Sequence, residues 1–497
     1  MARKIASRIK ITGKLVAKTP IHVGGIGGNP QIDLPLAVNG QGQYYIPGTS
    51  LAGAFSSWLE QERQANSIWG YQQEKNADGH ASFIIVEDAP IEGINAEIRD
   101  GVGIDREWGT AAEQVKYDRA VLPQGCKIPL NMTLELPIES ERATDYKNSF
   151  AALIKSLQKG EIRLGAAKTR GLGKVKLENV SIRESKLDNR DSILKFLKGN
   201  EEIITDNFLE SYDSNCQKSK LTFEIQWQPQ SPLMVKAEGN GIAVDILPLV
   251  SAIDSSLTFI LPGSSIKGAL RFQAERIIRT VCNSPITEPA NFMEQIEVPL
   301  VEDLFGTRAK NNQKNKKGIG SLFIDDCYAN IPINSSAWRN VEAATNETTL
   351  REALNNANLQ NIQQAFHVAV DRWTGGAAEG MLYSNLELMK VNWKPIYLTL
   401  DINHLHENKL SAISLFLLCL RDLVDGRIPL GYGTNRGMGT IKVNSIVINS
   451  DNLPDDLNKF TNVTLLNGNL TDLDSELLTN LNNAWKTWID TQNKAGN

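Results

Sequence analysis

The sequence predicts an α+β chain made of two tandem β-α-β-β-α-β copies, and three repeats carry that expectation. Leu164–Lys176 (LGAAKTRGLGKVK) returns as Leu430–Lys442 (LGYGTNRGMGTIK), 266 positions later. Ile46–Ala54 (IPGTSLAGA) returns as Leu261–Ala269 (LPGSSIKGA), 215 positions later. Val102–Arg106 (VGIDR) returns as Val368–Arg372 (VAVDR), again at 266. Several segments repeated in the same order over most of a chain mean a duplicated structural unit.

Taken in order, the alternating stretch Ile9–Ala17 reads as an opening strand, and it runs into Thr19–Val23, which Ser231–Val235 echoes at 212. A glycine-rich loop (Gly24, Gly25, Gly27, Gly28) follows, weakly echoed by Gly239 and Gly241. Then come Ile32–Leu36 and Val244–Leu249, with Asp33 and Asp245 at the same offset of 212. Pro47-Gly48 and Pro262-Gly263 turn the chain, and Ser or Thr beside them starts a helix. Leu51, Phe55, Trp58 and Leu59, and Ile266, Leu270, Ile277 and Ile278, give each helix one apolar face. The amino ends at Gly48, Ser50, Gly263 and Ser265 suit a phosphate, although ordinary capping explains the same residues. Trp69-Gly70 matches Phe305-Gly306, and a strand at Phe83–Glu87 matches Leu322–Asp326. After the VxxDR segments come irregular stretches, Glu107–Val115 and Trp373–Met381, then a strand (Ile128–Leu136, Pro395–Ile402) and a helix (Tyr146–Leu157, Ser411–Leu423). The glycine loop and a last strand close each copy.

The expected domains are residues 1–185 and 219–449, joined by a structured linker at 186–218 and followed by an acidic tail at 450–497. The offset grows from 212 to 266, so the second copy carries an insertion near 308–364. Part of it is the basic run Arg308–Lys317, and part is polar and helical in pattern (Asn334–Gln364). In the tail, Leu477, Leu478, Leu481, Trp485 and Trp488 outline one helix.

With 497 residues, two to three domains are expected, and 41% hydrophobic with 22% charged residues is ordinary for a globular protein. No apolar run reaches the length of a membrane span, and no signal-peptide core follows the first residues. Five scattered cysteines without a CxxC pair argue for reduced thiols, a cytoplasmic protein and neither a disulfide framework nor a zinc knuckle. Net charge is −5, poor for a nucleic-acid binder, but the tail alone holds −4 of it, so a local basic groove stays open.

The glycine loops carry the chemistry. Bare backbone N–H groups at Gly171, Gly173, Gly437 and Gly439 can approach an anion, and Arg170 and Arg436 add planar forks for phosphate. A tight helix-to-strand turn needs glycine as well, and one copy alone would not separate the two readings. Lys267 and Arg271 lie one helical turn apart and can follow a phosphate backbone, but the first copy has Ala52 and Ser56 there. The Arg308–Lys317 run reads first as a solvated loop and second as an RNA contact.

The order PG[ST]S at the front, VDR-like segments in the middle and GxxxxRGφG at the end resembles the RAMP superfamily, over residues 8–183 and 221–448. More narrowly it resembles the backbone subunits of type III CRISPR effector complexes, with two units fused as in the III-D subtype. That resemblance implies two ferredoxin-like (RRM-like) RAMP domains on a guide RNA, with complementary target RNA paired to it. It implies partnership with further backbone subunits and the large subunit, and no membrane. In that family a hairpin "thumb" interrupts the duplex, and an Asp after the first strand is required for metal-dependent cleavage. Carried over, Asp33 and Asp245 are the catalytic and metal-binding positions, with Mg²⁺ or Mn²⁺ and no organic cofactor. Val102–Val121 and Val368–Lys390 fall on the thumbs, with Asp105, Arg106, Trp108, Asp371, Arg372 and Trp373 toward target RNA. Arg170 and Arg436 fall in the guide-binding loop.

Physical chemistry is compatible with this. RNA cleavage by an adjacent 2′-hydroxyl needs in-line geometry, proton removal and neutralised phosphate charge. A carboxylate serves as base or holds a largely hydrated Mg²⁺. Trp108 and Trp373 can stack on an unpaired base or simply pack. Asp33 and Asp245 can equally form Asx turns, and Asp254 competes with Asp245 but has Asn39 as its counterpart. His22 is matched by Met234, so a shared mechanism cannot need it, and His404 with His406 lack further ligands for a metal. Two rival functions remain: a non-catalytic guide/target scaffold and a guide-processing endoribonuclease, the latter disfavoured because no His repeats.

Overall fold

The computed structural model describes residues 4–25, 31–63, 66–72, 79–138, 142–199, 202–211, 219–239, 241–284, 286, 292–307 and 318–495. The chain forms two compact units. The first comprises residues 1–97, 119–168 and 172–217, and the second comprises 98–118, 169–171 and 218–497.

In the first unit the elements are β1 (Ile5–Ala17), α1 (Gly48–Arg63), β2 (Ile84–Val86), β3 (Lys127–Pro137), α2 (Ala143–Lys159) and β4 (Val175–Lys186). The sheet order is β4-β1-β3-β2 with every neighbour antiparallel. Side chains alternate across a strand, so Ile128, Leu130, Met132, Leu134 and Leu136 of β3 all fall on one buried face. Phe150, Leu153, Ile154 and Leu157 of α2 bury at helical spacing in the same core. Gly160 ends that helix in the left-handed conformation, where its N–H donates to Leu157 O.

The second unit repeats the plan with β5 (Lys220–Pro229), α3 (Gly263–Val281), β6 (Leu322–Ile324), β7 (Ile396–Asp401), α4 (Lys409–Val424) and β8 (Ile441–Asp451). Its sheet order is β8-β5-β7-β6. Helix α4 buries Ile413, Leu415, Phe416, Leu417, Cys419 and Leu420, nearly all round. It does so because the tail helix α5 (Ser475–Ala495) packs on it, with Leu477, Leu481 and Trp488 in the same core. Ser411 and Ser414 of α4 donate to the α5 carbonyls of Ala484 and Leu481.

Three expectations about organisation change. The linker belongs to the first unit: Glu202–Ile203 pairs with β4, and Phe208 is buried. The tail belongs to the second unit, where Val463–Leu466 extends the sheet beside β8. Residues 98–118, the first hairpin, cluster with the second unit although the first copy encodes them. The expected pairing of Phe83–Glu87 with Leu322–Asp326 is off by one: β2 and β6 correspond at an offset of 238, so Asp88 answers to Asp326. The polar insertion forms two helices, Ser335–Glu342 and Glu347–Asn356, before a strand begins at Ile362. Arg308–Lys317 and residues 26–30 of the first glycine-rich loop lie outside the described residues.

The closing glycines are fixed by backbone packing. At Gly439, φ is +85° and an added Cβ would lie 2.1 Å from Leu430 O; at Gly173 it would lie 2.2 Å from Leu164 O. At Gly437, φ is +83° but nothing lies within 4 Å of that position. Gly439→Ala should therefore destabilise the protein by about 3 kcal/mol, and Gly437→Ala by about 1 kcal/mol, as strain alone costs. Urea midpoints of the two variants measure the difference.

Candidate nucleic-acid interface

The helix amino ends are already occupied by carboxylates. Gly48 N donates to Asp88 Oδ1 at 2.7 Å, and Gly263 N donates to Asp326 Oδ1 at the same distance. Ser50 N and Ser265 N donate to the carbonyls of Pro47 and Pro262. A carboxylate that takes the first helical N–H and faces the positive end of the helix dipole stands where a phosphate would sit and repels one. The expected anion cradle at Gly48, Ser50, Gly263 and Ser265 is thus a correction. A Cβ at Gly48 would meet Val86 O at 2.4 Å, and at Gly263 it would meet Ile324 O at 2.3 Å, which explains both glycines.

Part of the glycine loops is likewise committed. Gly173 N donates to Pro20 O and Gly439 N to Pro232 O, so neither N–H can receive a phosphate. Gly171 sits against the Asp326 carboxylate, where a Cβ would come within 2.2 Å of Oδ1. Gly437 and Arg436, by contrast, are exposed. Arg436 lies 5.0 Å from the Tyr432 ring and 5.5 Å from the Tyr383 ring, and its Nη1 donates to the Tyr383 hydroxyl. Arg170 Nη1 reaches the equivalent Tyr117 hydroxyl at 3.5 Å. A planar cation held against ring faces keeps its edge free for phosphate. Tyr117 and Tyr383 were missed in sequence, where their offset of 266 was the available signal; Tyr432 has Ala166 as its counterpart.

Two expected phosphate contacts fail. Lys267 is 4% exposed and donates to Leu322 O at 2.7 Å, and burial pushes its pKa well down. Arg271 is spent on Glu275, Gly306 O and Ile296 O. Their one-turn spacing was real, but it faces the protein interior.

Both hairpins form antiparallel ribbons, Glu97–Ile104 with Ala111–Val121 and Ile362–Val370 with Ala377–Leu388. Strand structure thus replaces much of the expected irregular stretches. Asp105 and Asp371 shape the tips. Asp105 Oδ1 accepts from Glu107 N and Trp108 N, and Asp371 Oδ1 from Trp373 N and Thr374 N. The Trp108 N–H first and the Gln295 amide second hold the Asp105 carboxyl below its usual range. For Asp371 the Thr374 N–H leads. These aspartates set the tip geometry. They present Trp108, 73% exposed, and Trp373, 97% exposed.

Arg106 is a further correction. Its Nε meets Glu275 Oε2 at 2.5 Å, and its guanidinium lies 5.7 Å from the Phe272 ring. Arg99 Nη1 meets Asp326 Oδ2 at 2.5 Å and Nη2 donates to Ser251. Burial pushes the Asp326 carboxyl up, and Arg99 pulls against it. The first hairpin is therefore pinned inside the second unit. Arg372, the counterpart of Arg106, is exposed.

Both candidate carboxylates are exposed and in the same register. Leu34, after Asp33, bridges Arg119 in parallel, and Ile246, after Asp245, bridges Asn385. Asp245 Oδ2 accepts from Ser384 N at 2.7 Å and Ser384 Oγ at 3.0 Å, which ties the loop to the hairpin strand. Opposite Ser384 in the ladder is Phe366, 62% exposed. Trp373 lies seven or more residues along the ribbon, roughly 20 Å from that carboxylate at about 3.3 Å per residue. Phe366, unremarked in sequence, is thus the exposed ring nearest Asp245 along the ribbon; no copy-one aromatic marked it.

His22 is buried beside Ala120 O, which its Nδ1 meets at 2.8 Å, and burial lowers its pKa; it is a packing residue. His404 Nδ1 lies 3.0 Å from Asp401, and the His406 side chain lies outside the described residues. Burial pushes Cys126 up to about 11 and Cys327 to about 12, so these thiols stay protonated. Among the described residues, no three His, Cys, Asp or Glu side chains group to hold a metal, and no helix is long and apolar enough to cross a membrane.

Each sequence copy thus contributes an antiparallel α/β sheet, a glycine loop, a hairpin and an exposed carboxylate, a duplicated architecture. The RAMP superfamily profile matches residues 14–176 and 239–442, most of the chain, and the chain belongs to that superfamily. RAMP membership points to a CRISPR-associated RNA-binding protein that works in complex with other CRISPR proteins. A search of curated proteins returned no match.

Removing the Arg99 guanidinium leaves Asp326 buried and unpaired, so Arg99→Ala should cost about 3–5 kcal/mol in equilibrium unfolding. Trp373→Ala should change stability by less than about 0.5 kcal/mol in the same measurement.

Proposed function

We propose that this chain is a fused pair of ferredoxin-like backbone units of a type III CRISPR effector of the III-D kind. It binds guide RNA and paired target RNA beside further backbone subunits and the large subunit, and it cuts the target once per module. The observation that carries the reading is the repeated constellation: an exposed Asp in a loop registered on the base of a hairpin, in each of two RAMP regions.

RNA enters through shape and charge. Arg436, held between Tyr432 and Tyr383, takes a guide phosphate on its open edge, and Arg170 beside Tyr117 does the same in the first copy. Sequence specificity comes from base pairing with the guide. In the second module, Phe366 wedges beside the scissile step and unstacks a nucleotide, which brings its 2′-hydroxyl in line with the phosphate. Asp245 is positioned by Ser384 through Oδ2, and Oδ1 has no hydrogen bond among the described residues. That oxygen orients the attacking hydroxyl. The open oxygen of Asp245 would hold Mg²⁺ or Mn²⁺ together with water, and a cation bound there would neutralise phosphate charge; Asp33 is the corresponding carboxylate of the first module.

One observation favours a scaffold role for the second module. The Asp245–Ser384 link anchors a loop, as a purely structural residue would. Asp245→Asn keeps an acceptor for Ser384 while removing the charge, so it separates the two. In the assembled complex, Asp33→Asn and Asp245→Asn should each remove one cleavage product, by at least 100-fold in rate, with target binding unchanged. Full cleavage by both variants would leave the scaffold reading.

Phe366→Ala should slow the Asp245-dependent cut at least tenfold, and Trp373→Ala should leave it within about twofold. Single-turnover cleavage on sequencing gels reads both. Arg436→Ala should weaken guide binding in filter assays, while Lys267→Met should not.

A further inference from the structure

We propose that His367 is a positioning residue for guide binding in the second copy, where it braces the Tyr383 ring on which the Arg436 guanidinium rests. This role rests on Arg436 being the guide-phosphate contact proposed above.

His367 stands directly opposite Tyr383 in the second hairpin. Their rings stack with centroids 5.2 Å apart and planes 19° from parallel. Arg436 lies 5.5 Å from the same tyrosine ring and 5.0 Å from that of Tyr432. Four planar groups thus form one chain of contacts from the hairpin ladder to the glycine loop. His367 is itself fixed. Its Nε2 lies 3.0 Å from Asn385 Oδ1 and 3.5 Å from Glu387 Oε1. Both neighbours are acceptors, so that nitrogen carries a proton. Asn385 is 1% exposed, and its amide reaches Met438 Sδ, inside the glycine loop, at 3.9 Å. The imidazole is therefore held in one orientation, and the ring stacked on it has fewer rotamers open to it. An arginine platform ordered in advance spends less entropy when a phosphate arrives.

The first copy meets the same need by other means. Gly101 stands 266 positions before His367, and an added Cβ there would collide with the Tyr117 ring. Bare backbone backs the tyrosine that Arg170 reaches at 3.5 Å. Each arginine loop thus meets a tyrosine supported by the opposing strand, once by backbone and once by an imidazole. Asn385 has Arg119 as its counterpart, so the polar brace belongs to the second copy. Ser384, next to Tyr383, holds Asp245. The residues that set Arg436 and Asp245 are therefore neighbours on one strand.

Filter binding of a labelled single-stranded guide RNA to the full chain tests the role. His367→Ala should weaken binding about fivefold, and His367→Phe, which keeps a ring against Tyr383, should bind within about twofold of the parent. His367→Gln keeps a donor for Asn385 but has no ring, and it should bind like His367→Ala. Added to Arg436→Ala, His367→Ala should cause no further loss, because the imidazole acts through that guanidinium. Unchanged binding by His367→Ala overturns the proposal. So does a loss that His367→Phe does not recover, or one that persists in full on the Arg436→Ala background, since either marks a general structural role. Parent-like binding by His367→Gln assigns the effect to the hydrogen bond and overturns the stack. Binding unchanged by Arg436→Ala overturns the guide-phosphate reading itself, whereas a loss with Arg436→Ala and none with His367→Ala overturns the brace alone.

Discussion

A carboxylate closes the amino end of the first helix in each unit. Asp88 and Asp326 each come from the segment after the second core strand and accept the first helical N–H, at Gly48 and Gly263. That single interaction fixes where the helix begins relative to the sheet. It excludes a side chain at the turn and removes the helix dipole from any list of RNA contacts. In the second unit it also supplies the buried anion on which Arg99 is seated.

The seat of Arg99 determines how the two copies differ. With Arg99 and Arg106 anchored, the first hairpin exposes Ile98, Val102 and Ile104 besides Trp108 at its tip, while the second hairpin exposes Phe366, Val368, Val370, Met381 and Leu382 along its length. A two-stranded ribbon showing that much apolar surface is stable only with support at its base. The Asp245–Ser384 hydrogen bonds and the Ile246–Asn385 bridge provide it. The candidate chemistry of the second module therefore sits where the ribbon is anchored, and not at its tip.

Much of the candidate interface shrinks on inspection of its hydrogen bonds, and the part that survives is coherent. Lys267 and Arg271 serve the interior, and Gly173 and Gly439 give their N–H groups to prolyl carbonyls. Arg170 and Arg436 remain, each next to a tyrosine from a hairpin strand. An arginine so held loses less side-chain entropy on meeting a phosphate than a free one. The link also ties the glycine loop to the hairpin in the second copy.

The amino-acid sequence alone determined the duplication, the order of strands and helices, the register of Asp33 with Asp245 and the equivalence of the two arginine loops. Those features are written in local periodicity and in spacing, which survive without knowledge of contacts. Only the tertiary structure decided which cations face water, which glycine N–H groups are spent, and which unit holds the first hairpin. The reason is physical: Lys267 on Leu322 O, Gly173 on Pro20 O and Arg99 on Asp326 are partners 55, 153 and 227 positions apart in the chain. A charge or a bare N–H reads the same in sequence whether solvent or a distant carbonyl receives it, and burial alone separates the two.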